Sequence, residues 1–338
     1  MQVYDNPHSG QGLDHDSLSE VPFPSVDANA VGALLARCPL AEATPLTRLE
    51  DFGGAGEVFV KDERFRMTLG SFKALGAAYA IARDAEEGKA KGRTYVCASA
   101  GNHGLSVTAG ALAFGAKAVI YLAESVPQDF QDRLEAFEAT VVREGAIYEE
   151  SMAAAQKAAE ENGWELLSDS SWPGYMERPF RVMEGYLALA DETVREMGEP
   201  PTHIFLQAGV GGLAGACAAY FREKWGSEPK IIVVEPEAAP ALLESVKAGR
   251  CVETQGPVSS MGRLDCKEPS LIALKGLARD ADRFTLISEE EAEAAMPVLT
   301  EAGLESTPSG GAGLAALLAG EPLGPEARVL CILSEAPE

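Results

Sequence analysis

The sequence predicts an α/β protein whose parallel sheets are covered by helices. Short β-rich apolar runs alternate with helical patterns for most of the length, as a parallel sheet with helices on its faces requires. Several of the helical segments are rich in alanine, a composition that intrinsically favours helix. At 338 residues the chain also exceeds the size at which a single hydrophobic core stops growing, so one large two-lobed unit or two domains is expected.

In chain order, the β-rich apolar runs predict strands at Glu57–Lys61, Thr94–Ala98, Ala118–Leu122, Thr140–Val142, His203–Gln207, Ile231–Glu235 and Val329–Leu333. Between them the helical pattern covers Phe72–Arg83, Gly104–Phe114, Gln128–Phe137, Glu149–Glu161, Val182–Met197, Gly212–Lys224 and Ala239–Ala248. No internal repeat interrupts this order, and Pro200-Pro201 is the clearest break in composition.

With 46% hydrophobic and 24% charged residues the chain is neither disordered nor fibrous. Its net charge of -24 would repel nucleic acid and anionic lipid, so no nucleic-acid or membrane partner is expected. Met1 to Pro24 has no basic stretch leading into an apolar run, and about 18 consecutive apolar residues occur nowhere, so the expectation is a cytoplasmic chain. The six cysteines, Cys38, Cys97, Cys217, Cys251, Cys266 and Cys331, have no C-x-x-C spacing and read as reduced thiols. With four histidines, two of them in the polar start of the chain, no metal site is expected.

Four short segments could carry chemistry. The first is Gly70-Ser71-Phe72-Lys73-Ala74-Leu75-Gly76-Ala77, a lysine at a loop-to-helix junction with small neighbours that would let a planar group lie close. A lysine used as a nucleophile must be partly desolvated to be neutral often enough, whereas most lysines are simply solvated. The second is Ser99-Ala100-Gly101-Asn102-His103-Gly104, after a strand and opening a helix, where free backbone N–H groups suit a carboxylate; an ordinary Asn cap reads the same way. The third, Gln207-Ala208-Gly209-Val210-Gly211-Gly212-Leu213-Ala214, again links strand to helix, and its glycines let the backbone approach a phosphate. It lacks the Lys-Ser/Thr of a Walker loop but formally matches a dinucleotide fingerprint, with Glu235 as the acidic residue further on, which keeps a nicotinamide dehydrogenase open. The fourth is Ser334, a hydroxyl closing the last strand.

In this order the four segments resemble the tryptophan-synthase-β-like, or fold-type II, pyridoxal 5′-phosphate (PLP) enzymes from about Leu40 to Glu335. The resemblance implies two parallel-sheet α/β domains with the active site in the cleft between them. Residues 90–170 would form a small domain inserted into a large PLP-binding domain made of residues 1–89 plus 171–338. It further implies that Lys73 carries the cofactor as a Schiff base with Phe72 beside it, and that Ser99, Ala100, Gly101 and Asn102 hold the substrate carboxylate. Asn102 would also stand against the pyridine 3′-oxygen, the loop Gly209, Val210, Gly211, Gly212 and Leu213 would bind the phosphate, and Ser334 would face the ring nitrogen. A neutral hydroxyl there moderates the electron sink, which suits elimination.

Within that family the chain resembles the diaminopropionate ammonia-lyases, which convert 2,3-diaminopropionate to pyruvate and ammonia. The likeness rests on Thr44-Pro45-Leu46, Val60-Lys61-Asp62-Glu63, Met261-Gly262-Arg263-Leu264-Asp265-Cys266, Ser309-Gly310-Gly311-Ala312-Gly313-Leu314 and, above all, Asp169-Ser170-Ser171-Trp172-Pro173-Gly174-Tyr175. Asp169 matches a carboxylate of those active sites and is the second catalytic candidate beside Lys73. One departure bears on stereochemistry: Ala100 stands where the lyases carry an aspartate that serves as base for the D-isomer, so an L-amino acid is the expected substrate. A dehydratase of threonine, serine or 3-hydroxyaspartate shares every cofactor residue and fits Ala100; a β-replacement synthase and a non-catalytic sensor stay open. A homodimer is usual for the family.

Overall fold

A computed structural model describes residues 1–99 and 101–337. The chain runs through β1 (Gln2–Asp5), α1 (Ala28–Leu35), β2 (Leu46–Phe52), β3 (Ala55–Asp62), α2 (Lys73–Glu86), β4 (Thr94–Ala98), α3 (Asn102–Ala113) and β5 (Lys117–Leu122). There follow α4 (Gln128–Ala136), β6 (Thr140–Arg143), α5 (Tyr148–Asn162), β7 (Glu165–Leu166), α6 (Glu177–Gly185), α7 (Leu187–Met197), β8 (His203–Gln207) and α8 (Gly212–Trp225). The last elements are β9 (Lys230–Pro236), α9 (Ala241–Ala248), α10 (Leu271–Asp280), β10 (Arg283–Ile287), α11 (Glu289–Glu301), α12 (Ala312–Ala319) and β11 (Gly324–Leu333).

Two sheets organise these elements. A seven-stranded sheet has the order β1-β10-β9-β8-β11-β3-β2, and a four-stranded sheet the order β6-β5-β4-β7. In the larger sheet β10, β9, β8, β11 and β3 are parallel, while β1 and β2 add antiparallel edges. All pairings of the smaller sheet are parallel. The central strands are covered on both faces, so β8 (His-Ile-Phe-Leu-Gln) and β9 (Lys-Ile-Ile-Val-Val-Glu-Pro) read as unbroken apolar runs. One apolar cluster joins the sheets: Tyr95 and Ile120 of the smaller, Ile204 and Val233 of the larger, and Leu75 and Ala77 of α2 belong to it.

The seven strands expected from the sequence all form, with ends shifted by a few residues. The edge strands β1 and β2 escaped that reading because they carry charged or exposed residues, and β7 because it is two residues long. The single helix expected over Val182–Met197 is instead two, α6 and α7, meeting at Tyr186. The reason is a close helix crossing: a Cβ on Gly185 would stand 2.5 Å from the Leu75 carbonyl oxygen, and one on Gly76 2.9 Å from that of Val182. Only glycine at both positions lets α2 and α6 touch backbone to backbone.

The approach to α2 is fixed by buried charge. Arg66, fully buried, donates to both carboxylate oxygens of Glu63, to Glu192 and to the Thr44 hydroxyl. Lys61, equally buried, pairs with Glu192 at 2.8 Å and donates to the Thr44 carbonyl. This knot anchors the turn at Met67 and Thr68, both left-handed at φ 50° and 60°, which delivers the chain to Gly70 and the start of α2. Two consecutive non-glycine residues in that region cost energy, and the charges beneath them hold the strain.

Candidate active site

Lys73 is the first residue of α2, and its N-cap, Phe72, is pinned by a backbone N–H bond of 3.1 Å to the Ser334 carbonyl at the end of β11. Ser71 and Glu335 form a β-bridge beside it, so the lysine segment and the C-terminal strand are one unit. Phe72 packs edge-on against Tyr186, with ring centres 4.9 Å apart, and the Lys73 ammonium lies 5.3 Å above the Phe72 ring. Lys73 Nζ donates to Asp169 Oδ2, and the two side chains keep 23% and 18% of their surface open to the cleft.

Asp169 comes from the loop after β7, and the motif around it explains its fixed position. Tyr175 donates its hydroxyl to the Leu166 carbonyl at 2.8 Å and accepts the Ser168 N–H at 3.0 Å, while its ring stacks on Trp172 with centres 4.3 Å apart. Ser171 exchanges a 2.7 Å hydroxyl bond with Ser270 and accepts the N–H of Ile272. The Asp-Ser-Ser-Trp-Pro-Gly-Tyr run is therefore a clamp that ties Asp169 to the end of the small sheet and the start of α10.

The electrostatics of the pair follow from competing causes. Burial alone would lower the Lys73 ammonium, but the adjacent Asp169 carboxylate outweighs it and holds the group above its ordinary value. Burial would raise Asp169, yet Lys73 and His103 hold it well below the usual carboxylate range. His103 is itself shifted down by burial. Its Nε2 lies 2.8 Å from the Leu167 carbonyl, which can only accept, so the proton sits on Nε2 and Nδ1 is left as an acceptor.

The second segment opens α3. Gly104 is required there because a Cβ would lie 2.2 Å from the Ser99 carbonyl oxygen, so the helix starts tight against the strand that feeds it. A Cβ on Gly101 would meet nothing within 4 Å, which leaves open space where that segment's N–H groups emerge. Ala100 lies outside the described residues. Asn102 is not free: its Nδ2 donates to Glu335 Oε2 at 2.5 Å.

The third segment forms the tight floor of the cleft. A Cβ on Gly209 would stand 3.0 Å from the Arg263 carbonyl oxygen and from Cys266 Sγ, and Gly211 is left-handed at φ 92°. Gly212 starts α8 with no side-chain cap, so its first N–H groups are available, and a Cβ there would lie 3.7 Å from Tyr186 and 3.9 Å from the Asp169 carbonyl oxygen. Val210 accepts the Ser270 N–H at 3.0 Å, and Leu213 is buried in the core beneath. Ser334 is buried and donates its backbone N–H to Gly310. Glu235, the ribose partner of a dinucleotide reading, instead accepts the N–H groups of Leu242 and Leu243 at the start of α9, which removes it from any ligand site.

Four further buried polar side chains stand in or beside these segments. The Tyr186 hydroxyl, His103 Nδ1, Ser71 Oγ and Gln207 Oε1 are buried polar atoms without a hydrogen-bond partner among the described residues. Burial first and then Asp169 push the Cys266 thiol up to about 12, so it stays protonated. Ser71, His103, Gln207 and Cys266 belong to the motifs named above, whereas no motif marks Tyr186.

The pieces fit pyridoxal phosphate: a glycine cradle with uncapped helix N–H groups for a phosphate, a lysine reaching the same cleft, and partnerless buried polar atoms around it. The model of the "Pyridoxal-phosphate dependent enzyme" family matches residues 38–335. The chain belongs to that family. It is 33% identical over 305 residues to a diaminopropionate ammonia-lyase of Escherichia coli K12, covering 82% of this chain and 77% of that protein. An L-threonine ammonia-lyase of Thermotoga maritima is 28% identical, over 78% of this chain and 63% of the relative. The crystal structure of the Escherichia coli diaminopropionate ammonia lyase with an aminoacrylate-PLP azomethine reaction intermediate superposes with TM-score 0.87 at 29% identity, covering 99% of this chain and 93% of that one. This family member uses pyridoxal phosphate and is an enzyme of the lyase and dehydratase group. No helix of the described residues is long and apolar enough to cross a membrane.

Proposed function

We propose that this chain eliminates ammonia from Cα and Cβ of a small L-amino acid bearing a second amine, such as 2,3-diaminopropionate. With water, the balance is one 2-oxo acid and two ammonia molecules per substrate. The observation that carries this reading is the Lys73–Asp169 pair, a base and an anion facing each other in one cleft.

When bound, the cofactor supplies the electron sink that makes the substrate's Cα–H bond acidic. In this reading Lys73 is its attachment point, Phe72 and Asn102 stand beside its ring and Ser334 opposite the ring nitrogen. The backbone N–H groups of Gly209, Val210, Gly211, Gly212 and Leu213 hold its phosphate. Ser99, Ala100, Gly101 and Asn102 take the substrate carboxylate.

The chain's own residues do the rest. Asp169 binds whichever cation is nearest, and in the free chain that is the Lys73 ammonium. A substrate β-ammonium takes its place in a charge-assisted hydrogen bond. Lys73 then loses the one neighbour that raises its pKa most, burial becomes the governing influence, and the amine turns neutral. Neutral Lys73 Nζ takes the Cα proton, and the Cβ–N bond breaks with its electron pair leaving on ammonia. A β-hydroxyl offers Asp169 no cation, so serine or threonine would forgo that charge-assisted bond.

The second reading, a dehydratase of serine, threonine or 3-hydroxyaspartate, draws on Ala100 in place of the lyases' aspartate. Measuring 2-oxo acid release from L- and D-diaminopropionate, L-serine, L-threonine and 3-hydroxyaspartate separates the two. Fastest turnover of L-diaminopropionate is expected; faster turnover of a β-hydroxy substrate sinks the ammonia-lyase reading, and equal rates on the D-isomer sink the role of Lys73 as sole Cα base.

We further infer the division into a large domain, 1–89 plus 171–338, and a small one, 90–170. The confinement of all four strands of the smaller sheet between Thr94 and Leu166 supports it. The six unpaired cysteines support a cytoplasmic location. A homodimer is supported by an apolar groove of about 720 Å³ rimmed by the exposed side chains of Leu40, Leu112, Phe114 and Phe137. Light scattering on the purified protein tests it, a monomer mass being the adverse result.

A further inference from the structure

Glu335 is given no part in the reaction as described, yet it touches both the lysine segment and the asparagine segment. Its carboxylate is 4% exposed. Oε2 accepts Asn102 Nδ2 at 2.5 Å and forms an ion pair with Arg263, whose Nε lies 2.9 Å away, and Oε1 accepts the Thr307 hydroxyl. Its backbone bridges Ser71, two residues before Lys73, and its carbonyl accepts the Ser306 hydroxyl at 2.6 Å. Asn102 opens α3 beside the smaller sheet, whereas Glu335 follows β11 of the larger one, so the Asn102–Glu335 bond crosses the cleft.

An asparagine amide has two chemically different ends, and its neighbours decide which end points where. An ionised carboxylate only accepts, so it compels the NH₂ end of Asn102 to face it, and Arg263 supplies its counter-charge. One amide hydrogen is thereby spent on Glu335, and the other, in the plane of the same nitrogen, is left as a donor directed by that plane. Asn102 is then a fixed hydrogen-bond donor, where a freely rotating amide could present either its oxygen or its nitrogen.

We propose that Glu335 is a positioning residue: its carboxylate orients the Asn102 amide so that Asn102 presents N–H, and not its oxygen, to the phenolic oxygen of the bound cofactor. This rests on the reading of Asn102 as the ring's partner given above. Donation to that oxygen favours its ionised form, so the orientation sets the pH at which the bound cofactor's visible absorbance titrates. Orienter residues of this kind act through the group they hold, as carboxylates do on metal-bound histidines.

The test uses the PLP-loaded protein and spectrophotometric pH titration of the bound cofactor, with no turnover involved. Glu335→Gln keeps the shape but offers an amide that can pair with either end of Asn102. Its titration midpoint is expected to rise by about one pH unit, and the affinity for PLP to fall about 10-fold, a charged hydrogen bond having been made neutral. In an Asn102→Ala background the same substitution is expected to change the midpoint by less than 0.3 unit, on the order of the error of additivity. If Asn102→Ala alone leaves the titration unmoved, Asn102 does not face the ring, and both the earlier reading and this one fall. If Asn102→Ala moves it and Glu335→Gln does not, or moves it equally in both backgrounds, the positioning role alone is overturned. Should Glu335→Gln not fold, Glu335→Asp, which keeps the charge and shortens the reach, is expected to shift the midpoint in the same direction; a titration superimposable on the wild type overturns the proposal.

Discussion

Replacing Asp169 by asparagine removes one charge at nearly constant volume and asks whether substrate charge controls the base. Asp169 is 18% exposed and paired with Lys73, so the carboxylate works in a partly desolvated site. A charge-assisted hydrogen bond made neutral in such a place costs about 2–3 kcal/mol, which at 1.36 kcal/mol per decade is about a 30- to 150-fold loss. The loss of kcat/KM should fall on substrates with a β-ammonium and spare those with a β-hydroxyl, which never engaged the carboxylate as an ion. The sign for Lys73 is equally definite. Burial lowers its pKa and Asp169 raises it, so the variant loses the raising influence and Lys73 deprotonates at lower pH than in the parent. The assay is 2-oxo acid release from L-diaminopropionate and from L-serine across pH 6 to about 10. Equal losses on both substrates, with no displacement of the pH profile, would refute the coupling between substrate charge and the lysine.

Three other perturbations follow from the same structure. Arg66→Met strands Glu63 without its fully buried partner and leaves Glu192 only Lys61; about 3–5 kcal/mol should be lost, visible as a lower urea midpoint, and a midpoint within error of the parent contradicts the anchoring role. Glu235 is pushed by burial from 4.5 up to about 8, so the native state holds a proton that the unfolded chain releases. Its stabilising contribution is complete below about pH 4.5 and is lost as pH rises through about 8, at up to about 1.4 kcal/mol per pH unit; Glu235→Gln should flatten that slope in urea unfolding while weakening one of the two bonds to α9. Gly209→Ala forces a methyl against the Arg263 carbonyl, Cys266 Sγ and Leu264 Cα at 3.0–3.1 Å, so PLP affinity in an absorbance titration should fall about 10-fold with little change in melting temperature.

The parts of this fold that the sequence makes legible are those where local chemistry and burial agree. Strands β8, β9 and β11 are apolar on both faces because helices cover both, and the helices following β4 and β8 carry, at or beside their first turn, Gly104 and Gly211, where close packing or a left-handed backbone calls for glycine. Edge strands such as β2, with Arg48, Glu50 and Asp51 along it, carry no such signature. The helix break at Tyr186 depends on Gly76, more than a hundred positions away, and no local pattern reports that contact. In the site, Lys73 and Asp169 were legible as candidates, but their pairing across 96 positions was not. Glu335 stood in plain view beside Ser334 and carried no motif, because its meaning lies in partners from four separate segments.

The charge balance explains why the cleft is built as it is. A chain with a net charge of -24 offers an anionic cofactor an unfavourable field at every distance beyond a screening length. Cationic side chains in the cleft do not relieve this, since Lys73 is committed to Asp169 and Arg263 to Glu335. At Gly209 to Gly212 the attraction for a phosphate would come from backbone dipoles and the uncapped N–H groups at the start of α8, which carry no net charge. Dipoles act only at short range, so such a site selects by fit and needs no side-chain cation. The carboxylates that burden the overall field would then be useful one by one: in the proposals above Asp169 selects a second ammonium and Glu335 fixes the polarity of Asn102, each beside a cation and poorly hydrated where it stands.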